Sequence, residues 1–281
     1  MRGGGLGDLR EKLDARPVLL PMLILLAGAA ERILWLLLQK TPLFAGGEAA
    51  NAAIFFARTG GIGDIFDKGS GLSAHLNPML PAFAGSIYRL FDIRSPLSEG
   101  LLAVVSIGLA LASAWFLYRV ADLLGVARRA RLIGLALFCL APFNLQAEAV
   151  TFRIWEGALA AALGGGTLLL IVESDVRGLT GWPRVTLISL LAAALFFISP
   201  AYGLAIYAAA ALLCIRRVAP RRWLGVAVIA TIALATVLTP WTIRNAGVFD
   251  RFIPLRSNMG LELALANHEA AAIGKPDDYT V

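Results

Sequence analysis

The chain has 281 residues, 58% of them hydrophobic and 16% charged, with a formal net charge of +6 and a mean hydropathy of +0.75. A soluble domain of this length cannot bury that much apolar side chain, so the surplus belongs in lipid. The basic residues stand in short clusters between apolar runs, without interleaved aromatic stripes, a pattern that speaks for membrane orientation and against a nucleic-acid partner.

Arg2, Arg10, Lys12 and Arg16 precede the first apolar run, in which Ala27-Gly28-Ala29 has the small-residue pattern of a cleavage site. The run continues to Leu38, long enough to span a bilayer, and it reads as a retained helix. Apolar segments at 18–39, 98–119, 131–148, 154–172, 185–199, 200–215 and 223–243 make seven expected transmembrane helices. The split at Ser199-Pro200 divides what would otherwise be one overlong helix. Short connections on one side hold the clusters around Arg119–Arg131, Arg177–Arg184 and Arg216–Arg222, whereas those on the other hold only Arg153. By the positive-inside rule the N-terminus is cytoplasmic, and the first loop, 40–97, and the C-terminal tail face outward.

That loop is far longer than an ordinary helix connection. Glu48 to Ala57 reads as a short helix with one apolar face, broken by Gly60-Gly61-Ile62-Gly63. A second short helix fits Pro78 to Phe91, with prolines near its start, and is too short to span. It is expected to lie in the interface or to re-enter the membrane.

Charges inside apolar runs require partners, because one at a helix centre costs about 2.5 to 3.5 kcal/mol on insertion scales. Glu31 and Arg32 are neighbours in sequence, so a helix points them roughly 100° apart and each needs its partner elsewhere. Arg153 and Glu156 are spaced to pair on one helix, with Glu148 near enough to join a structural cluster. Cys139 and Cys214 lie in apolar runs as small hydrophobes. His75 and His268 lack ligand spacing, so no metal site is expected. Gly164-Gly165-Gly166 lacks a following Lys-Ser/Thr and reads as close helix packing.

Three stretches resemble the GT-C class of lipid-linked-sugar glycosyltransferases, the superfamily of protein O-mannosyltransferases and lipid A aminoarabinose transferases. Leu238-Thr239-Pro240-Trp241-Thr242-Ile243-Arg244-Asn245, followed by Val248-Phe249-Asp250-Arg251-Phe252-Ile253-Pro254, is similar to the end of the family's last core helix. Gly47-Glu48-Ala49 is similar to the acidic element opening its first outer loop, with Gly47 where an aspartate usually stands. Asn77-Pro78-Met79-Leu80-Pro81 is similar to the start of its second juxtamembrane helix.

The resemblance implies an all-α polytopic protein with a GT-C-like core over residues 1–245 and an outward-facing tail over 246–281. Family members typically continue into further helices or an outer domain, so a C-terminally short member is expected. It implies an inverting transfer of a sugar from a polyprenyl-phosphate donor to a lipid, glycan or protein acceptor, without a cofactor, outside a bacterial inner membrane.

In residue terms, Glu48 is the expected general base, since a partly buried carboxylate at the membrane surface suits that work. Arg244 is the expected phosphate ligand, by its planar fork. Arg58 and Arg251 are further candidates for the donor, as is Asn77 in the proline-rich element. Asp64 and Asp67 read as turn residues. Two other readings stay open: a transporter or flippase of a lipid-linked substrate, and a family member that binds without turnover.

Overall fold

A computed structural model describes residues 18–141 and 144–258, together with 260, 263, 264 and 267. Among the described residues it is all helical, with one isolated β-bridge between Gly63 and Leu72. The helices are α1 (Leu19–Leu38), α2 (Glu48–Thr59), α3 (Met79–Phe91), α4 (Pro96–Leu123), α5 (Arg128–Leu140), α6 (Leu145–Ala149), α7 (Gly157–Arg177), α8 (Trp182–Ile198), α9 (Pro200–Arg217) and α10 (Trp223–Phe249). Short 3-10 turns occupy Thr151–Arg153 and Pro220–Arg222.

Each of the seven apolar segments carries helix. Four helical stretches are long and apolar enough to cross a membrane: α1, α4, α7 and α10 with its preceding 3-10 turn. A fifth arises if Arg128–Leu140 and Leu145–Arg153, bent by 70°, count as one broken span. The segment expected as one helix over 131–148 is therefore two, and the break carries Arg153 out of any regular helix.

The reversal at Ser199 is real. Ser199 has extended backbone between α8 and α9, and the Phe196 ring meets Tyr207 edge-on at 6.3 Å while Ile188 and Leu213 line one small cavity, the register of an antiparallel hairpin. Gly203 makes the approach possible, because a Cβ there would lie 2.3 Å from the Phe196 Cα. The glycine triplet does what its composition implied. Gly165 and Gly166 lie against Phe116 of α4, and Gly164 faces Leu195 of α8.

The chain between α1 and α4 folds into a cap built on α2 and α3. Gly60, at φ +78°, ends α2 in the left-handed conformation that favours glycine. Gly85 lets α3 close on α2, since a Cβ there would meet the Ala53 carbonyl oxygen at 2.6 Å. Ala50, Ala53, Ala84, Tyr88, Leu102 and Ile154 form the core that joins this cap to the bundle.

Two ends result. The cap end holds the loops, and the other end holds the arginine clusters, where Glu173 pairs with Arg177 and Arg184 while Asp175 pairs with Arg216 and Arg217. The expected core-to-tail boundary at 245 falls inside α10, which continues to Phe249. Residues beyond it fold back on the cap: the Trp241 indole donates to the Leu255 carbonyl at 2.7 Å, and the Ser257 amide donates to the Ala74 carbonyl at 3.0 Å.

Candidate functional site

A cavity of about 650 Å³ lies between α1 and α4 and opens at the cap end. Its long wall is apolar, lined by Ile33, Leu36 and Leu37 from α1 and by Ala103, Val104 and Ile107 from α4. Its mouth is polar, with Lys40, Thr41, Arg94, Glu99 and Arg153. A volume of this size is in the usual range for ligand sites.

Local sequence builds the mouth. Helix α4 starts where Ser95 accepts a hydrogen bond from the Ser98 amide at 3.1 Å and Pro96 supplies the first-turn φ, which places Glu99 one turn inside. Immediately before it, Asp92 and Arg94 adopt φ of +68° and +58°, unfavourable for residues with a Cβ. That strained link aims the Arg94 side chain back at the segment leaving α1: its Nη2 donates to the Ala45 carbonyl at 2.9 Å, and its guanidinium lies 4.9 Å over the Phe44 ring. Arg94 Nη1 is buried beside Glu99 Oε1, at 3.8 Å, and has no hydrogen-bond partner among the described residues.

Arg153 comes from the 3-10 turn after the broken helix. It is buried, donates to Glu99 Oε2 at 2.6 Å, and also donates to the Ala149 and Leu43 carbonyls at 2.7 and 3.0 Å. Tyr88 of α3 donates its phenol to Glu99 Oε1 at 2.7 Å. Burial, then the hydrogen bond to Glu99 and that residue's charge, hold the Tyr88 pKa well above its ordinary value, so the phenol remains a donor.

A second buried pair anchors this arrangement from behind. Arg32 donates to Glu148 at 2.6 Å and to the Cys139 and Gly28 carbonyls at 2.7 and 2.9 Å, tying α1 to both halves of the broken helix. The Ser106 hydroxyl donates to the Glu148 carbonyl. Arg32 thus finds its partner across the bundle, as a charge in an apolar run must. The expected pairing of Arg153 with Glu156 is not made. Residues 151–156 are not α-helical, so helical spacing does not bring the two together, and Glu156 instead receives Arg256 at 2.5 Å.

Glu48 is the first residue of α2, after Gly47 at φ +78°. Its side chain is half-exposed and its Oε2 lies 3.1 Å from His75 Nε2. His75 is buried, with Phe66 edge-on at 5.6 Å, and its amide donates to the Ser73 hydroxyl. Arg244 reaches the same segment, donating to the Ser73 carbonyl at 2.9 Å, the Ile62 carbonyl at 3.1 Å and Asn245 Oδ1 at 2.8 Å. Its guanidinium stands over the rings of Trp241 and Phe249. Glu48, His75 and Arg244 therefore share one stretch of the cap, with the arginine clamping its backbone.

The other expected site residues are spread out. Asn77 is buried, donating to the Phe197 carbonyl at 2.7 Å and accepting from the Met79 amide at 3.0 Å. Arg58 is exposed and lines a small cavity of about 140 Å³ with Asp64 and Asp67. Asp64 behaves as a turn residue, its Oδ1 accepting from the Lys68 and Ser70 amides. Arg251 is exposed. Among the described residues no three His, Cys, Asp or Glu side chains converge as a metal site.

None of Glu48, Arg244, Arg58, Arg251 or Asn77 lines the large cavity. Of its polar residues, Lys40, Arg94 and Glu99 were not singled out by motif. The one available signal was Ser95-Pro96 followed by a glutamate at the head of an apolar run, which reads equally well as a plain helix start.

The fold is that of an all-helical protein with the long apolar helices of an integral membrane protein. No protein-family model, curated protein or solved structure matches the chain.

Proposed function

We propose that the protein is a membrane glycosyltransferase that moves a sugar from a polyprenyl-phosphate donor to an acceptor hydroxyl at the cap end. The observation carrying this reading is the cavity between α1 and α4, whose apolar length ends at a buried Arg94 Nη1 without a hydrogen-bond partner among the described residues. A lipid tail against Ile33, Leu37 and Val104 brings a phosphate to Arg94, with Lys40 at the rim. Arg153, held by Glu99, adds positive charge from the back wall. A buried guanidinium donor left open costs free energy, and a phosphate oxygen satisfies it with a strong charge-assisted bond.

Transfer is a single displacement. The acceptor oxygen attacks the anomeric carbon as the bond to the phosphate oxygen breaks, the lipid phosphate keeps the electron pair, and the acceptor proton passes to a carboxylate. Glu48 serves as that base, oriented by His75. The extended stretch that supplies Leu43 and Phe44 to the cavity leads directly into Glu48. The arginine-rich end faces the cytoplasm, as the basic residues of the short connections imply, so the transfer occurs outside a bacterial inner membrane.

One observation favours binding without turnover. Arg244, the expected phosphate ligand, has three donor contacts committed to the cap's backbone and to Asn245. Purified protein incubated with radiolabelled polyprenyl-phosphate sugars and acceptor membranes separates the readings. Sugar transfer lost in Arg94→Ala supports the transferase and its phosphate site. Donor binding with no transfer by the wild type establishes the binder, and donor crossing sealed vesicles unchanged establishes a flippase.

A further inference from the structure

At the arginine-rich end, α4 and α5 are joined by a turn at Gly125, φ +76°, and enclose a second groove of about 290 Å³. Leu117, Tyr118, Val126, Gly134, Leu135 and Phe138 line it, and Leu117, Val126 and Phe138 are exposed along its rim. Arg131 is the one charged residue in the lining. Its Nη1 pairs with Asp122 and its guanidinium lies 5.1 Å over the Tyr118 ring, while its buried Nε has no hydrogen-bond partner among the described residues.

Among the described residues, arginines outnumber carboxylates on the two helices at this end. Arg129 shares the first turn of α5 with Arg131, and Arg119 lies one turn before Asp122 on α4. Asp122 is the only carboxylate on either helix at this end. Glu173 of α7 pairs with Arg177 and Arg184 and also faces Arg119, so Arg119 is partly offset. An apolar slot that ends at Arg131, with Arg129 on the same turn and a single aspartate on the two helices at this end, complements a lipid with a negatively charged headgroup.

We infer that the α4–α5 groove is a binding site for an anionic phospholipid, with an acyl chain along Leu117, Gly134 and Phe138 and the headgroup phosphate on Arg131. The site lies at the opposite end of the bundle from the cavity between α1 and α4 and does not depend on the transferase reading. A zwitterionic lipid fills the slot but brings its own cation to the arginines. Free phosphate lacks the chain that the slot accommodates.

The test uses full-length protein reconstituted in phosphatidylcholine vesicles carrying a trace of acyl-photoactivatable phosphatidylglycerol or, in parallel, acyl-photoactivatable phosphatidylcholine. Crosslinks are mapped by peptide mass spectrometry. The expected result is phosphatidylglycerol adducts concentrated on Leu117, Gly134 and Phe138, exceeding those of phosphatidylcholine. Arg131→Gln lowers the phosphatidylglycerol yield about fivefold, the effect of one basic residue at an anionic surface, and leaves the phosphatidylcholine yield unchanged. Gly134→Leu fills the slot without a clash, because a Cβ at Gly134 meets nothing within 4 Å, and removes the adducts while circular dichroism and gel filtration stay wild-type. Equal labelling by the two lipids, or adducts that survive in folded Gly134→Leu protein, overturns the inference.

Discussion

Arg153 and Glu99 meet at 2.6 Å, both nearly excluded from solvent, where the broken helix crosses the first turn of α4. Glu99 also accepts the Tyr88 phenol, so one carboxylate joins α3, α4 and the 3-10 turn. Removing Arg153 leaves the buried Glu99 charge with only Arg94, at 3.8 Å, and the Tyr88 phenol. Arg153→Met is expected to destabilise the fold by about 3 kcal/mol or more, and Glu99→Gln added to it to recover much of the loss. Thermal unfolding in detergent of the two single variants and the double variant measures this, and strictly additive losses contradict it.

Tyr88 makes the pH dependence specific. A phenol whose folded pKa is raised stabilises the fold below its unfolded value of about 10, and that contribution fades as the pH climbs through the folded value. The wild type should therefore lose stability more steeply above about pH 10 than Tyr88→Phe, whereas below that the two curves run parallel. Parallel curves at all pH values would show that burial and Glu99 do not hold the phenol protonated in the fold.

Two glycine substitutions of identical chemistry should move in opposite directions. Gly203→Ala drives a methyl into the Phe196 backbone and is expected to cost about 1–3 kcal/mol. Gly108→Ala, inside α4 with nothing within 4 Å of the new Cβ, is expected to stabilise by roughly 0.5–1 kcal/mol. Unfolding midpoints of the two variants decide the matter.

Catalysis and donor capture should separate by residue. Glu48→Gln is expected to lower turnover by about 10²–10⁴ with little change in donor affinity. Val104→Trp, which blocks the apolar wall, should weaken donor binding while leaving Glu48 and His75 in place. Steady-state kinetics alongside direct donor binding distinguish the two effects, and a Glu48→Gln enzyme with unaltered turnover would remove Glu48 as base.

Helix positions were readable from the chain because apolar run length is a strong signal. The Ser199 reversal, the two cap helices and the glycine packing on Phe116 were all foreshadowed by pattern. The break between α5 and α6 was signalled by Pro142 with Asn144 after it, but it is masked by an apolar run whose total length suits a single span. That break decides the ion pairs. Arg153 next to Glu156 looks like a helical pair, yet once the helix is interrupted its partner is Glu99, 54 residues away, and Arg32 meets Glu148 across 116. Such partners depend on tertiary packing, so spacing carries no trace of them. Arg94 escaped notice for a related reason, since its orientation is set by two left-handed residues whose side chains do not favour that conformation.

The hairpin of α8 and α9 has a consequence for the surrounding bilayer. With 17 and 18 residues, its arms are about 26 Å long, whereas the 28 residues of α4 extend about 42 Å. Against a hydrocarbon thickness of about 30 Å, one flank of the bundle is too short and the other overhangs. Lipid beside a hairpin of that length, placed across the bilayer, would thin to meet it, at a modest cost for each ångström of mismatch. With the hairpin placed across the bilayer, headgroups beside α8 and α9 would be drawn inward relative to those beside α4.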